Sequence, residues 1–306
     1  MTKRTELEID GEKIEVSNLD KVFYPKTGFT KGNLIDYYIR VAPYLLPHLK
    51  NRPITLKRYP DGVDGFFFYE KQCPPHRPGW IKTTDVARSD GTQIHYCMID
   101  NLPSLVWAAN LADLELHTFL HKAPAITRPT VLAFDLDPGP PADVVLCCKV
   151  GLRLKALFDS LNLKSFAKTS GSKGLQIYVP LNMPVTYEKT KVFARSVAEA
   201  LEKECPEVVV GKMRKDVRAG KVFIDWSQND DHKTTVCVYS LRAREEPTVS
   251  TPVTWDEVAA TEKKKSAKFL TFQAQEVLRR VEKQGDLFAD VLTMKQKLPA
   301  FKPLAR

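Results

Sequence analysis

The stretch Val131–Pro140 constrains the fold more than any other part of the chain, because it joins a hydrophobic strand to two acidic residues and an abrupt stop. Side chains alternate across the pleat of a β-strand, so Asp135 and Asp137 point to one face together. The Pro-Gly-Pro triplet that follows ends the strand. The chain is therefore expected to contain a sheet that carries two carboxylates at the end of one strand.

These two carboxylates are candidate metal ligands. Like charges this close repel each other, and a divalent cation between them removes that cost. Carboxylate oxygens without a nearby Cys or His favour Mg²⁺ or Mn²⁺ over Zn²⁺. A pair of solvated aspartates at a strand end is the alternative interpretation.

A second apolar strand, Val222–Ser227, carries a single carboxylate, Asp225, at its exit. Two carboxylates that bridge a pair of ions, with a third on the ion that activates an attacking hydroxyl, form the arrangement used for in-line nucleotidyl transfer. Asp225 is the candidate third ligand. Its alternative role is to cap a turn, since Asp commonly follows a strand.

The loop Lys168–Gly174 is a candidate phosphate-binding loop. Its glycines allow backbone N–H groups to approach an anion closely, Ser170 offers a hydroxyl, and Lys173 offers a positive charge. Lys173 precedes a glycine where a Walker A loop would have a hydroxyl residue after the lysine, so a P-loop ATPase is excluded. A flexible polar hairpin is the alternative.

Charge and cysteine content narrow the class of protein. The 46 basic residues against 37 acidic ones give a net charge of +9, which favours a polyanionic partner, although a basic surface also aids solubility. The six cysteines show no Cys-x-x-Cys spacing and no paired framework, so we expect reduced thiols. No signal peptide and no apolar run of about eighteen residues is evident, which predicts a cytoplasmic protein without membrane contact.

Periodicity predicts an α/β protein in which the acidic residues lie on strands flanked by helices. Residues 5–16 alternate as a hairpin around Asp10-Gly11, and Thr30 is expected to cap a helix. Further helical patterns cover residues 103–116, 142–162, 187–204 and, as several helices, 254–297.

Four motifs, taken together in order and spacing, resemble the polymerase domain of bacterial DNA ligase D, a member of the archaeo-eukaryotic primase superfamily. These motifs occupy residues 134–138, 169–175, 223–226 and 239–244. Further matches at 18–25, 57–60, 114–117 and 248–252 extend the resemblance over nearly the whole chain. The resemblance implies an α/β, two-lobed primase-polymerase catalytic core whose sheets form a cleft flanked by helices. It also implies one domain over 1–306, with a DNA-end-binding part of about 1–125 and a catalytic part of about 126–306.

The function implied by the resemblance is template-directed nucleotidyl transfer, preferring ribonucleotides, onto 3′ ends at gaps and double-strand breaks in non-homologous end joining. The implied cofactors are two divalent ions, Mn²⁺ or Mg²⁺. The implied partners are DNA with a gap or 3′-overhang and a 5′-phosphate, NTP or dNTP, Ku and a DNA ligase. Two alternatives remain: a stand-alone primase or gap-filling repair polymerase, and a catalytically weak module that bridges DNA ends.

Residue roles follow from the resemblance where positions match. Asp135 and Asp137 would hold both metals, and Asp225 the ion at the primer 3′-hydroxyl. The residues that would line the incoming nucleotide are Lys57, His117, Ser170, Lys173, Gln176, Arg242 and Arg244. The residues that would contact DNA are Lys21 and Lys31 at a 5′-phosphate, Phe68 and Tyr69 against the template, and Arg88 in a loop that helps two 3′-overhangs meet.

Several of these positions have a simpler interpretation beside the implied one. Lys21 and Lys31 are equally typical of an ordinary surface, and a run of four aromatic residues is equally typical of a hydrophobic strand. His117 is consistent with a packed histidine whose ring nitrogen is satisfied. Gln176 departs from the family, which usually has His there; an amide can orient a phosphate oxygen but cannot transfer a proton.

Overall fold

The structure is a computed structural model that describes residues 4–87 and 91–300. Its strands and helices, in chain order, begin with β1 (Arg4–Ile9), β2 (Glu12–Ser17), β3 (Val22–Tyr24), β4 (Phe29–Thr30), α1 (Lys31–Leu49), β5 (Pro53–Arg58), β6 (Phe68–Glu70), β7 (Thr83–Ala87), β8 (Gln93–Met98), α2 (Leu102–Asn110) and β9 (Asp113–Phe119). They continue with β10 (Val131–Pro138), α3 (Val144–Ser160), β11 (Phe166–Thr169), β12 (Leu175–Pro180), α4 (Tyr187–Glu204), β13 (Val209–Val210), β14 (Val222–Asp225), β15 (Thr234–Val236), β16 (Pro252–Val253), α5 (Trp255–Lys264) and α6 (Ala274–Gln284).

The chain divides into two compact units, and each is built from three separate segments. The first unit contains the described residues up to Pro124, Thr234–Ser250 and Phe272–Gly285. The second contains Ala125–Lys233, Thr251–Thr271 and the described residues from Asp286 onward. Residues 234–250 belong to the first unit because β15 pairs with β9 at the edge of its sheet. The expectation of a mixed α/β fold is confirmed.

A six-stranded antiparallel sheet organises the first unit. Its order is β15-β9-β5-β8-β7, with β6 paired to β5. Thr30 caps helix α1 as expected, because the Thr30 hydroxyl accepts a hydrogen bond from Asn33 N while the Asn33 side chain accepts one from Thr30 N. The buried rings of Tyr37 and Tyr38 extend from α1, and their hydroxyls donate to the carbonyls of Tyr239 and Leu114. These bonds tie the helix to the unit's core.

The second unit is built on a sheet of order β13-β14-β10-β12-β11-β16, in which only β13 and β14 are parallel. The apolar residues of β10 are buried as predicted, with Phe134 and Leu136 fully inaccessible to solvent. The loop before β12 lies against β10 so closely that a Cβ at Gly174 would be 2.2 Å from the Leu136 carbonyl oxygen. Only glycine fits there.

The expected helices and hairpin are largely confirmed. Strands β1 and β2 pair around Asp10-Gly11, α3 and α4 match the two central helical patterns, and α5 and α6 match most of the last. The helix expected over 103–116 is wrong beyond Asn110. Ala112 has a positive φ of 62°, which ends the helix, and Asp113–Phe119 then pairs with β5 and β15. Between Gln284 and residue 300, the last one described, the chain forms a short 3₁₀ turn and no α-helix, so the helical expectation there is also wrong.

The expectation for the cysteines is wrong in one respect. Cys73 and Cys97 form a disulfide between the loop after β6 and strand β8. The four remaining cysteines are buried free thiols: Cys147, Cys148, Cys205 and Cys237. In the part of the chain that the structure describes, no helix is both long enough and apolar enough to cross a membrane.

Candidate active site

A row of four polar side chains crosses the sheet of the second unit. Asp135 on β10 lies opposite Asp225 on β14 and opposite Gln176 on β12. Gln176 in turn lies opposite Lys168 on β11. Residues directly opposite in antiparallel strands share one face of the sheet, so Asp225, Asp135, Gln176 and Lys168 form a continuous polar row.

The Asp135 carboxylate, in the middle of this row, has an environment that disfavours its charged form. Within residues 4–87 and 91–300, the buried Oδ1 of Asp135 has no hydrogen-bond partner. Burial, followed by the charge of Asp137 and then that of Asp225, raises the pKa of Asp135 to about 7, against the lowering effects of Gln176 and Lys168. Asp137, two residues along the strand, is exposed. A divalent cation would satisfy the open oxygen and offset the repulsion, so these residues fit a metal site.

Gln176 occupies a different environment from the one that its predicted contact with nucleotide implies. Its side chain is 4% exposed; its Oε1 accepts a hydrogen bond from Lys168 Nζ, and its amide group hydrogen-bonds the Asp135 carboxylate. Gln176 therefore links a buried cation to a candidate metal ligand. Sequence reasoning named Lys168 only as the first residue of the loop and missed its place in the site. The available signal was a lysine directly after the apolar residues Phe166 and Ala167.

Asp225 both faces Asp135 and caps a turn. Its Oδ1 accepts a hydrogen bond from Ser227 N at 3.0 Å, and its Oδ2 accepts one from Gln228 Nε2 at 2.9 Å. The turn-capping role that was left open is thus present. The Ser227 hydroxyl also donates to Oδ1, so it is Oδ2 that keeps a lone pair for a metal ion while these bonds fix the orientation of Asp225.

The loop between β11 and β12 is a closed polar hairpin. The Ser170 hydroxyl accepts hydrogen bonds from Ser172 N at 3.2 Å and Gly174 N at 3.0 Å. The Lys173 side chain is exposed at the tip. The structure therefore uses Ser170 to shape the loop and presents Lys173 to solvent.

A second group of potential metal ligands lies elsewhere in the second unit. Asp230, Asp231 and His232 have ligand atoms within 4.8 Å of one another. Sequence reasoning did not single out this group, although its three residues are adjacent. Asp230 is already paired with Lys191, and the group lies on a surface turn.

The first unit contains a basic cluster, which consists of Lys57, His117 and Arg242 around the buried carboxylate of Glu115. Lys57 extends from β5, and Glu115 and His117 extend from the same face of β9. The distances to the Glu115 oxygens are 3.2 Å from Lys57 Nζ, 3.0 Å from His117 Nε2 and 3.3 Å from Arg242 Nε. The three residues predicted to contact nucleotide from this unit are thus brought together. Arg244, the fourth, is exposed two residues farther along.

Aromatic rings surround the ammonium group of the basic cluster. Lys57 Nζ lies 4.8 Å from the ring centre of Phe67, 5.3 Å from that of Tyr59 and 5.4 Å from that of Tyr69. Tyr69 is exposed, as a stacking residue must be. Phe68 points to the other face of β6, where Arg58 lies over its ring at 5.2 Å.

Lys21 and Lys31, the residues predicted at a 5′-phosphate, lie side by side in the first unit. The Lys31 backbone N–H donates to the Lys21 carbonyl at 2.8 Å, and Lys21 Nζ pairs with Asp61 at 2.7 Å. Burial, with the nearby charges of Lys21 and Arg58, lowers the pKa of Lys31 to about 8. The Lys31 ammonium group, close to two other positive charges, can bind an anionic group. Arg88 lies outside the described residues.

Several known proteins are similar to this chain. The family model for the LigD primase-polymerase domain matches residues 30–288. The multifunctional non-homologous end joining protein LigD of Mycolicibacterium smegmatis is 42% identical over 284 residues, which are 91% of this chain and 36% of that protein. The bifunctional LigD of Bacillus subtilis is 33% identical, over 94% of this chain and 45% of that protein. The chain thus spans less than half the length of these relatives.

A solved structure has the same fold as this chain. The polymerase domain of Mycobacterium tuberculosis ligase D, in complex with DNA, superposes with a TM-score of 0.85 at 39% identity. The match covers 92% of this chain and 99% of the other. The expected primase-polymerase fold is therefore confirmed.

Proposed function

The chain belongs to the LigD primase-polymerase domain family, and on that premise we propose that it adds nucleotides to DNA 3′ ends at gaps and double-strand breaks during non-homologous end joining. The proposed reaction is template-directed, prefers ribonucleotides and uses two divalent ions, Mn²⁺ or Mg²⁺. The observation that carries the proposal is the polar row, with the open, buried oxygen of Asp135 at its centre.

In this proposal Asp135 and Asp137 hold both ions, and Asp225 holds the ion beside the primer 3′-hydroxyl. When bound, the ions supply a lowered pKa for that hydroxyl and neutralise charge on the phosphates. The protein's own contribution is orientation. Gln176 keeps the Asp135 carboxylate at a fixed angle, and the Ser227 and Gln228 contacts do the same for Asp225.

Five charged residues are proposed to contact the incoming nucleotide. From the first unit these are Lys57, His117, Arg242 and Arg244, whose charges suit a triphosphate. The second unit contributes Lys173, while Ser170 shapes the loop that carries it. Gln176 acts on the nucleotide indirectly, through Asp135.

Residues about 1–125 would bind the DNA end and residues about 126–306 would carry out catalysis. Lys21 and Lys31 would bind the 5′-phosphate across a gap, because a terminal phosphate carries more charge than an internal one. Tyr69, next to Phe68, would stack on the template, and Arg88 would help two 3′-overhangs meet. Ku and a DNA ligase are the proposed protein partners.

The test is extension of a gapped duplex that carries a 5′-phosphate, with Mn²⁺ or Mg²⁺ and either ribo- or deoxyribonucleotides. We expect extension that copies the template and is faster with ribonucleotides. Extension without a metal ion would contradict the two-metal mechanism. Tight DNA binding with no extension under any condition would favour the end-bridging module instead.

A further inference from the structure

We propose that Glu115 is a positioning residue for the nucleotide, whose single buried carboxylate holds Lys57, His117 and Arg242 in the arrangement that receives a triphosphate. The inference rests on the proposed function, because the nucleotide contacts of these three cations are themselves proposed. It assigns a role in binding to a residue whose charge has the same sign as that of the ligand.

The contacts of Glu115 come from three separate parts of the first unit. One carboxylate oxygen accepts a hydrogen bond from Ala243 N at 2.9 Å and pairs with Arg242 Nε at 3.3 Å. The other accepts hydrogen bonds from Lys57 Nζ at 3.2 Å and His117 Nε2 at 3.0 Å. The carboxylate thus accepts three hydrogen bonds and has the Arg242 guanidinium as an ionic neighbour, so both of its oxygens are engaged.

Burial places the anion beneath the cations. The Glu115 side chain is 2% exposed, whereas those of Lys57, His117 and Arg242 are 12%, 13% and 18% exposed. Two permanent cations against one anion leave a surplus of one positive charge, or two when His117 is protonated. A purely structural ion pair would need no such surplus. The surplus charge lies on the more accessible side, where an anionic ligand can reach it.

Glu115 remains ionised in this setting. Burial alone would raise its pKa, but the hydrogen bond from His117 and the charges of Arg242, His117 and Lys57 together lower it. The Glu115 carboxylate is therefore a fixed negative charge at neutral pH, and any proton that the cluster gains goes to the imidazole.

His117 is the titrating member of the cluster. The groups that face it are Glu115 on its own strand, Lys57 on β5, Arg242, and the edge of the Tyr69 ring at 5.9 Å. Burial lowers the pKa of His117 below its usual value, Arg242 and Lys57 lower it further, and Glu115 opposes them. With Nε2–H directed at Glu115, a bound triphosphate would favour protonation of Nδ1, which would give a second donor.

Substitution of Glu115 by Gln distinguishes positioning from simple charge. If Glu115 acted only through its charge, its loss would make the cluster more positive and tighten nucleotide binding. If it acts by positioning, one half of the Gln amide must present N–H groups to cations that are also donors, so at least one cation is released. We therefore expect Glu115→Gln to weaken nucleotide binding.

The experiment compares Glu115→Gln with Glu70→Gln, which removes the same charge from an ion pair with Arg58 on the same sheet. We expect the KM for the incoming nucleotide to rise about tenfold in Glu115→Gln, equivalent to about 1.4 kcal/mol, with kcat and the affinity for gapped DNA little changed. Glu70→Gln should match the wild type. An unchanged or lower KM in a folded Glu115→Gln protein would overturn the inference.

A second measurement needs no change at Glu115, in case that variant does not fold. Calorimetric titration of the wild type with metal-free ATP at pH 8, in two buffers of different ionisation enthalpy, reports protons taken up on binding. We expect net uptake by the wild type and none by His117→Asn. Binding without uptake would contradict the Glu115–His117 arrangement. A wild type that neither binds ATP nor extends DNA would instead refute the proposed function.

Discussion

Asp135 and Gln176 lie directly opposite each other on neighbouring strands, and the Gln176 amide connects the Asp135 carboxylate to the buried ammonium of Lys168. The orientation of Asp135 is thus fixed by a neutral amide, which can donate one hydrogen bond and accept another at the same time. A positively charged neighbour in direct contact would compete with a metal ion for the same carboxylate. Lys168 instead acts on Asp135 from beyond the amide, where its charge still lowers the pKa of the Asp135 carboxyl.

Replacement of Gln176 tests this connection. A neutral histidine also offers one donor and one acceptor, so we expect Gln176→His to keep extension within about threefold of the wild type. Gln176→Leu removes both contacts and should cost about 1–3 kcal/mol in free energy of unfolding, with slower extension. Chemical denaturation and single-nucleotide extension measure the two effects. A His variant as impaired as the Leu variant would show that shape, not hydrogen bonding, matters here.

Removal of either metal-facing carboxylate should stop catalysis. We expect Asp135→Asn and Asp137→Asn to lose at least about a hundredfold in extension rate, because several kcal/mol of transition-state stabilisation depend on the ions they hold. Binding of gapped DNA should persist. The matched control is Asp143→Asn, which alters an exposed helix cap that Asn also satisfies. Either acidic-row variant with normal extension would contradict the two-metal assignment.

The paired lysines should distinguish a 5′-phosphorylated gap from an unphosphorylated one. We expect the double variant Lys21→Ala and Lys31→Ala to bind both substrates equally, whereas the wild type prefers the phosphate. Fluorescence anisotropy with the two DNAs measures the difference. Lys26→Ala, which removes a neighbouring exposed lysine paired with Glu245, is the control and should keep the preference.

The same preference should depend on pH. The pKa of Lys31 is lowered to about 8, so its charge is complete below that pH and is lost as the pH rises through it. We therefore expect the advantage of the 5′-phosphate to decline above pH 8, well below the ordinary lysine pKa of 10.5. A preference that is constant up to pH 10 would assign the phosphate contact to other residues.

The disulfide makes a direct prediction about thiol content. After denaturation without reductant, four of the six cysteines should react with an alkylating agent, as mass spectrometry would show. Because the bond joins residues 24 apart, its reduction should lower the free energy of unfolding by about 3 kcal/mol. A Cys73→Ser, Cys97→Ser double variant should not respond to reductant. Six reactive cysteines in the untreated protein would disprove the bond.

Features that depend on residues adjacent in the chain could be predicted from the sequence. Contacts that depend on how strands pair could not. Alternation along one strand was enough to place Asp135 and Asp137 on one face and to bury Phe134. No local signal shows that Lys168 lies opposite Gln176, since that is a matter of register between strands.

The basic cluster illustrates the same limit. Lys57, Glu115 and Arg242 are more than fifty residues apart from one another along the chain, and only sheet formation brings them together. Residues 113–116 were expected to be helical because a short apolar run reads alike in a buried helix and a buried strand. As a result, the sequence identified Glu115 as part of the motif at residues 114–117 but did not indicate that it lies at the centre of the basic cluster.

The interleaving of the two units has a consequence for how this polymerase can be divided. The chain passes from one unit to the other five times, at Pro124, Lys233, Ser250, Thr271 and Gly285. A fragment that stops at Pro124 would lack both the edge strand β15 and Arg242, so it would carry neither a complete sheet nor a complete basic cluster. Gene fusion or recombination can therefore transfer this polymerase to another protein only as one continuous piece that contains both units. A split-reporter design would have to divide the chain within a surface loop of one unit.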